Sequence, residues 1–217
     1  MVDQVLVFDM DGVLVDVTES YRETIVLTVE YFTGKTISRE SIQEYKNQGG
    51  FNNDWVLSQK ICRDLGVEVE YPAVVEYFNH LFLGQGMIHR ERWLPRNGLI
   101  EQLSAKFELA IFTGRTTEEA TITLTRERLL DRFLLVTADD VEREKPAPDG
   151  LLKIAALRPA MKLLYVGDTV DDARCARSAN VPFIGIAAPM SPKRDELIGL
   201  FHQEGAIQVL ENINEIC

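Results

Sequence analysis

The sequence predicts an α/β fold built on a doubly wound parallel sheet, with a block of helices inserted after the first strand. Short apolar runs rich in β-branched and aromatic residues recur along the chain and indicate strands. From Trp93 onward these runs alternate with stretches of helical spacing, which is typical of parallel strands joined by right-handed crossovers. Residues 17–90 have helical character instead, so we expect them to form an insertion.

The first predicted strand covers residues 5–8, an unbroken apolar run that suits a strand buried on both faces. Asp9 and Asp11 follow where this strand should end, and Gly12 supplies a flexible turn. A carboxylate at the edge of an apolar core is costly unless a metal, a cation or hydrogen-bond donors compensate its charge. The sequence therefore predicts that compensating groups lie close to these two acids.

The helical block is predicted to be a separate cap domain of residues 16–90. The core domain would then consist of residues 1–15 and 91–217. Within the block, residues 19–32 and 54–66 place apolar side chains at three- and four-residue spacing, as amphipathic helices do. We expect these helices to share a small core of their own.

A polar loop at residues 45–55 is the part of the cap most suited to contact a substrate. Lys46, Asn52 and Asn53 are the candidate substrate contacts. The alternative is an ordinary turn between two cap helices, in which Asn53 or Asp54 caps the following helix.

Four further strands are predicted after the insertion, at residues 107–113, 132–138, 162–168 and 181–187. In a sheet of this kind, ligands bind outside the carboxyl ends of the strands. Carboxylates, a hydroxyl group and a lysine follow the predicted strands at that edge. In chain order, the residues there are Asp9, Asp11, Thr113, Gly114, Arg115, Lys145, Asp168, Asp171 and Asp172.

The chemistry of this set suits a magnesium ion and a phosphoryl group. Mg²⁺ prefers oxygen ligands such as carboxylates and waters. A lysine and a hydroxyl group beside the metal suit phosphoryl transfer, which depends mainly on positioning and charge neutralisation. We therefore expect Mg²⁺ as the cofactor and a small phosphorylated metabolite as the partner.

Composition and charge narrow the remaining function classes. The formal net charge of −11 argues against binding nucleic acid through a broad basic face, and gives no reason for attraction to an anionic membrane. Three widely spaced cysteines indicate neither a disulfide framework nor a zinc site, so we expect a cytoplasmic protein. The sequence leaves open whether the protein is a monomer or a homodimer.

Four segments resemble the motifs of a known superfamily. FDMDGVLVD, IFTGR, KPAP and VGDTVDD occur in this order, each at the end of a predicted strand. Together they resemble the haloacid dehalogenase superfamily of phosphotransferases across essentially the full chain. The resemblance implies a Rossmann-like core. The insertion is similar to the α-helical cap of the subfamily that includes phosphoglycolate phosphatase and β-phosphoglucomutase.

The resemblance also implies roles for the motif residues. Asp9 would be the nucleophile that forms an aspartyl-phosphate. Asp11 would protonate the leaving alcohol and then deprotonate the attacking water. Thr113 would bind the phosphoryl oxygens, and Lys145 would neutralise charge on the phosphoryl group and on the nucleophile.

Metal binding and substrate contacts follow from the same resemblance. Mg²⁺ would be held by Asp9, the backbone carbonyl of Asp11, and Asp168. Asp172 is preferred to the adjacent Asp171 as the second acid of the fourth motif, and both stay open at this point.

Two positions after the second motif are further candidate substrate contacts. They are Gly114 and Arg115, although Arg115 could equally be a surface residue at a helix start.

Three alternative functions are weighed against a phosphatase. A phosphomutase of the same fold would pass the phosphoryl group to a sugar hydroxyl instead of water. A silent phosphate-binding protein fits less well, because the nucleophile and the acid/base are both present. A phospho-acceptor signalling domain fits less well, because that module is shorter, lacks an inserted helical cap and has its phosphorylated aspartate on a later strand. Dehalogenase activity is not expected, since dehalogenases of the superfamily lack the second acid, here Asp11.

Overall fold

A computed structural model describes residues 3–216 of the chain, so Cys217 lies outside the described residues. The strands are β1 (Gln4–Phe8), β2 (Val15–Asp16), β3 (Arg92–Trp93), β4 (Glu108–Phe112), β5 (Leu134–Val136), β6 (Lys162–Gly167), β7 (Phe183–Ile186) and β8 (Gln208–Leu210). The α-helices are α1 (Tyr21–Thr33), α2 (Arg39–Gln48), α3 (Asp54–Asp64), α4 (Tyr71–Asn79), α5 (Leu99–Ser104), α6 (Thr117–Arg126), α7 (Asp149–Leu157), α8 (Val170–Ala179) and α9 (Arg194–Gln203).

The main sheet has six parallel strands in the order β5-β4-β1-β6-β7-β8. The strand order runs outward in both directions from β1, so the sheet is doubly wound as predicted. β1 lies between β4 and β6, and its carboxyl end therefore meets the ends of both neighbours. This arrangement confirms the predicted α/β class.

Burial on both faces explains why β1 is apolar without alternation. Its residues from Val5 to Phe8 are fully buried. Leu6 and Phe8 belong to one hydrophobic cluster, and Val5 and Val7 to another on the opposite face. Helices cover both faces, as a parallel sheet requires.

Helices α1 to α4 lie between the two short strands β2 and β3. Helix α1 packs against α3, and α3 packs against α4, around buried side chains such as Ile25, Leu57 and Phe78. Ser38 caps α2 by accepting a hydrogen bond from the Ser41 N–H at 3.1 Å. The division into a cap of residues 16–90 and a separate core stays a prediction.

The structure also contains strands that the sequence did not indicate. β2 and β3 form a two-stranded antiparallel ladder in which Asp16 and Arg92 are directly opposite and ion-paired. β8 adds an edge strand beside β7. These strands are two or three residues long, too short for an alternating or continuous apolar run to identify them. Within residues 3–216, no helix combines the length and apolar character needed to cross a membrane.

Candidate active site

The carboxyl end of β1 gathers most of the motif residues. Asp9 continues from β1, and its N–H donates to the carbonyl of Val166 at 2.8 Å, so the two neighbouring strands end together. Thr113 follows β4, and Asp168 follows β6. The predicted meeting of these side chains at one edge of the sheet is therefore a consequence of strand order.

Asp9 is a buried carboxylate with one cation beside it. Its side chain accepts the Met10 N–H at 2.8 Å and lies 2.9 Å from Lys145 Nζ. Burial raises the pKa of Asp9 to about 7, because the attraction of Lys145 only partly offsets desolvation, and Asp172 and Asp11 add repulsion.

Lys145 is the compensating cation that the sequence anticipated. Its ammonium lies 2.9 Å from Asp9 and 2.8 Å from Asp172, and 5.3 Å from the centre of the Phe112 ring. Burial acts to lower the pKa of Lys145, but the two carboxylates outweigh it and raise that pKa above its ordinary value. Lys145 thus stays cationic although it is 4% exposed.

Asp172 is held by a complete set of donors. Tyr165 donates to Oδ1 at 2.6 Å, and the Thr169 hydroxyl donates to Oδ2 at 2.6 Å, while Lys145 pairs with Oδ1. Burial acts to raise the pKa of Asp172, but Lys145 and these hydrogen bonds together hold it below its ordinary value. Asp172 is therefore ionised and fixes the position of Lys145.

Sequence reasoning missed Thr169 and Tyr165 as parts of this site. Thr169 was detectable, since it forms a capping box with Asp172 at the start of α8 and the T-x-x-D spacing is visible in the sequence. Tyr165 lies inside β6 and had no such signal.

Asp168 completes a cluster of three carboxylates. Single oxygens of Asp9, Asp168 and Asp172 all lie within 4.8 Å of one another. Gly12, at φ 71°, leaves the space that Asp168 fills, because a Cβ there would collide with the Asp168 carboxylate.

The donor set fits a hard divalent cation. The Oδ1 atom of Asp168 is buried without a hydrogen-bond partner in residues 3–216. Burial, with repulsion from Asp9 and Asp172, raises the pKa of Asp168 well above its ordinary value. A bound cation would remove that repulsion, and carboxylate oxygens are the ligands that Mg²⁺ prefers.

The two adjacent acids of the fourth motif face different partners. Asp172 joins the carboxylate cluster, whereas both oxygens of Asp171 lie within hydrogen-bond distance of the Gly50 N–H, at 2.8 and 2.9 Å. Gly50 belongs to the loop after α2, so Asp171 connects the core to the helical insertion.

Gly114 lies close to the insertion as well, and Thr113 precedes it in a buried position. Thr113 is 1% exposed, and its hydroxyl accepts the Arg115 N–H at 3.2 Å. A Cβ on Gly114 would collide with the side-chain amide of Asn52. The absence of a side chain at Gly114 thus allows Asn52 to approach the second motif.

Arg115 is buried, so the alternative of a surface arginine is wrong. It is 2% exposed, and its guanidinium contacts Asp11 and Glu91. Glu91 was not identified from the sequence, because it lies outside every motif.

Lys46, Asn52 and Asn53 all line one small cavity beside Asp9, Asp11 and Asp168, with a volume of about 50 Å³. The predicted polar loop of residues 45–55 is shorter than expected, because Lys46 lies in the last turn of α2. Lys46 pairs with Asp54 at 2.6 Å, and the buried Nδ2 of Asn52 has no hydrogen-bond partner among the described residues. Asn53 caps α3 by accepting the Trp55 and Val56 N–H groups, as the alternative interpretation expected. Its amide also donates to Glu144 of the core at 3.2 Å.

The structure is thus a parallel-sheet α/β fold with three clustered carboxylates at the carboxyl ends of its central strands. The sequence model described as haloacid dehalogenase-like hydrolase matches residues 6–186, and the chain belongs to that family.

Individual relatives and structures extend this comparison. A protein from Phytophthora nicotianae named imidazoleglycerol-phosphate dehydratase is 33% identical over 201 residues, which make up 87% of this chain but 44% of that protein. The chain therefore spans less than half of this relative's length.

Two solved structures share the fold. A proposed phosphoglycolate phosphatase from Lactobacillus plantarum is 22% identical with a TM-score of 0.76, covering 100% of this chain and 98% of its own. A proposed β-phosphoglucomutase from Thermotoga maritima is 20% identical with a TM-score of 0.69, covering 98% and 96%. At these identities the similarity establishes the fold.

Proposed function

We propose that this protein is a Mg²⁺-dependent phosphatase that hydrolyses a small phosphate monoester through an aspartyl-phosphate at Asp9. The observation that carries the proposal is the cluster of Asp9, Asp168 and Asp172 around one buried lysine at the end of β1. With all three carboxylates ionised and one cation present, the cluster would carry excess negative charge, which a metal would neutralise.

Asp9 is the proposed nucleophile. One of its oxygens would bond to phosphorus while the bond to the leaving oxygen breaks, which converts one displacement into two easier ones. Lys145, 2.9 Å from Asp9, would attract the phosphoryl oxygens and oppose the repulsion between two anions. Thr113 would donate its hydroxyl to the phosphoryl group.

Asp11 is the proposed acid and base. Its side chain is 29% exposed and lines the cavity, so it has access to a leaving group there. Asp11 would give its proton to the leaving alcohol and later accept a proton from the water that attacks the aspartyl-phosphate.

The metal ligands would be Asp9, Asp168 and the backbone carbonyl of Asp11, with Asp172 at the border of the site. When bound, Mg²⁺ would supply positive charge to the phosphoryl oxygens. Asp172 already accepts from Tyr165, Thr169 and Lys145, so its main contribution would be to hold Lys145 in place.

The helical insertion would exclude bulk water during the reaction. The contacts from Gly50 to Asp171 and from Asn53 to Glu144 connect it to the core in a closed arrangement. In this arrangement the insertion and the core enclose a small cavity that Asp9, Asp11 and Asp168 share with Lys46 and Asn52. We therefore propose a small metabolite as the substrate, with Lys46, Asn52 and Gly114 beside the leaving group. From the cysteine pattern of the sequence, we also propose that the protein acts in the cytoplasm.

A phosphomutase is the second candidate, because a proposed β-phosphoglucomutase shares the fold over 98% of this chain. The two functions differ in whether water or a second hydroxyl group accepts the phosphoryl group.

The test is phosphate release from a panel of small esters, with Mg²⁺ and with EDTA. Phosphoglycolate, glucose phosphates and imidazole-bearing phosphate esters belong in the panel, because the names of similar proteins refer to such compounds. Metal-dependent release that disappears in Asp9→Asn would support the phosphatase. Conversion of one sugar phosphate to an isomer without phosphate release would favour the mutase instead.

A further inference from the structure

Arg115 is a buried arginine surrounded by two carboxylates, a hydroxyl group and an aromatic ring. Its Nε donates to Asp11 Oδ1 at 2.8 Å, and Nη1 donates to Thr123 Oγ1 at 2.9 Å. Nη2 lies 2.6 Å from the same oxygen of Asp11 and 2.7 Å from Glu91 Oε1. The Tyr21 ring covers one face of the guanidinium, 4.9 Å from Cζ. The side chain is 1% exposed, so little of it is accessible to a substrate.

Arg115 contacts only one of the two carboxylate oxygens of Asp11. Both Nε and Nη2 of Arg115 approach Oδ1, and within residues 3–216 no other side chain hydrogen-bonds to this carboxylate. Oδ2 of Asp11 is therefore left for a proton and for a leaving group. The hydrogen bond from Nε fixes the position of Oδ1, and the charge of Nη2 beside the same oxygen strengthens the attraction.

Glu91 is a second carboxylate paired with Arg115, through the same nitrogen Nη2. The Glu91 side chain is fully buried, and its Oε2 accepts the Thr123 hydroxyl at 2.7 Å and lies 3.2 Å from Arg126. Glu91 immediately precedes β3, the strand by which the chain returns from the helical insertion. The anchor of Arg115 is thus part of the connection between the insertion and the core.

We propose that Arg115 is a positioning residue for Asp11 and does not bind the substrate's phosphoryl group. It holds Oδ1 so that Oδ2 is presented to the leaving oxygen. The inference rests on the proposed phosphatase function, in which Asp11 is the acid. As the phosphorus–oxygen bond of the ester breaks, the bond electrons go to the leaving oxygen, and the proton on Oδ2 of Asp11 passes to it, so that a neutral alcohol departs.

The test compares two small substrates that differ in their need for a proton. Acetyl phosphate releases acetate, which is stable as an anion. An alkyl phosphate releases an alcohol that must be protonated. The alkyl ester is whichever one the wild type hydrolyses fastest. We expect Arg115→Gln to lower the rate of aspartyl-phosphate formation from the alkyl ester by about 100-fold in rapid-quench experiments, and to leave that rate for acetyl phosphate within about threefold of wild type. Formation is the step measured because hydrolysis of the aspartyl-phosphate, in which Asp11 acts as the base, is common to both substrates.

Three reference variants make the result specific. Asp11→Asn should show the same preference for acetyl phosphate, and Asp9→Asn should abolish both reactions. Arg158→Gln is the matched control, because Arg158 is also ion-paired but contacts Glu108 at the far end of β4. This control should leave both reactions unchanged.

Equal loss on both substrates, or a rise in KM alone, would overturn the inference, since a phosphate-binding arginine would affect both esters alike. Unchanged rates on both substrates would overturn it too. If the wild type hydrolyses neither compound nor any other ester, the proposed function itself fails. If circular dichroism shows that Arg115→Gln is unfolded, Glu91→Gln replaces it in the test. This variant keeps Arg115 but removes the charge of the carboxylate that pairs with it. A smaller loss confined to the alkyl ester is expected for Glu91→Gln, and equal loss on both substrates would overturn the inference.

Discussion

Replacing Asp9 with asparagine is expected to stabilise the metal-free protein at alkaline pH while abolishing its activity. The buried Asp9 carboxylate is costly in its ionised form, and asparagine removes that charge. Lys145 would still pair with Asp172 at 2.8 Å, so the substitution leaves the cation with a partner. A catalytic group that destabilises the fold is expected where charge is held for chemistry.

The magnitude follows from the pKa of Asp9, which is raised from 3.8 to about 7. Each pKa unit corresponds to about 1.4 kcal/mol, so ionised Asp9 costs the folded state about 4 kcal/mol above its own pKa. Below the unfolded pKa both states hold the proton and there is no cost. Between the two pKa values the folded state keeps the proton that the unfolded state has lost. The free energy of unfolding therefore falls as the pH rises through this window.

The assay is urea denaturation in EDTA of wild type and Asp9→Asn, at about pH 5 and about pH 8. The difference in free energy of unfolding between variant and wild type should increase by about 3 kcal/mol from the lower to the higher pH. Comparing the difference at two pH values cancels any pH-independent cost of the substitution. Asp131→Asn, at an exposed position, serves as the control. An equal difference at both pH values would refute the reasoning.

Three further predictions concern the metal, the connection to the insertion, and the lysine. Mg²⁺ should raise the melting temperature of the wild type reversibly, with EDTA restoring the lower value. Asp168→Asn should lose this response; a full response in that variant would show that the metal binds elsewhere. Asp171→Asn should raise KM by about fivefold, because it weakens the acceptor of the Gly50 N–H by roughly 1 kcal/mol; an unchanged KM would contradict a role in closure. Lys145→Met should destabilise the metal-free protein by about 3–5 kcal/mol in urea denaturation at neutral pH, since it leaves buried carboxylates unpaired; a variant as stable as wild type would contradict the ion-pair geometry.

The fold and the strand-end residues could be predicted because a few simple rules determine them. An apolar run followed by acids specifies a buried parallel strand that ends at a ligand site, and strand order then brings Asp9, Thr113 and Asp168 together. Lys145 was recognisable because two acids needed a cation. These inferences require only periodicity and the position of the strand ends.

Other parts of the site depend on packing that no local pattern reveals. Glu91 and Thr123 meet Arg115 only because β3 and α6 pass the same point in space. Whether Asp171 or Asp172 faces the cluster depends on the rotation of α8, which the capping box between Thr169 and Asp172 fixes. Adjacent helical residues point about 100° apart, so neighbouring acids have different surroundings.

The central claim is that Asp9 carries the phosphoryl group, and mass spectrometry of the acid-quenched protein tests it most directly. Asp11→Asn is mixed with acetyl phosphate and Mg²⁺, because this variant should form the aspartyl-phosphate but hydrolyse it slowly. The account predicts one phosphoryl group on the peptide that contains Asp9, and none when Asp9→Asn is added. Phosphorylation of a different residue, or phosphate release that persists without Asp9, would contradict it.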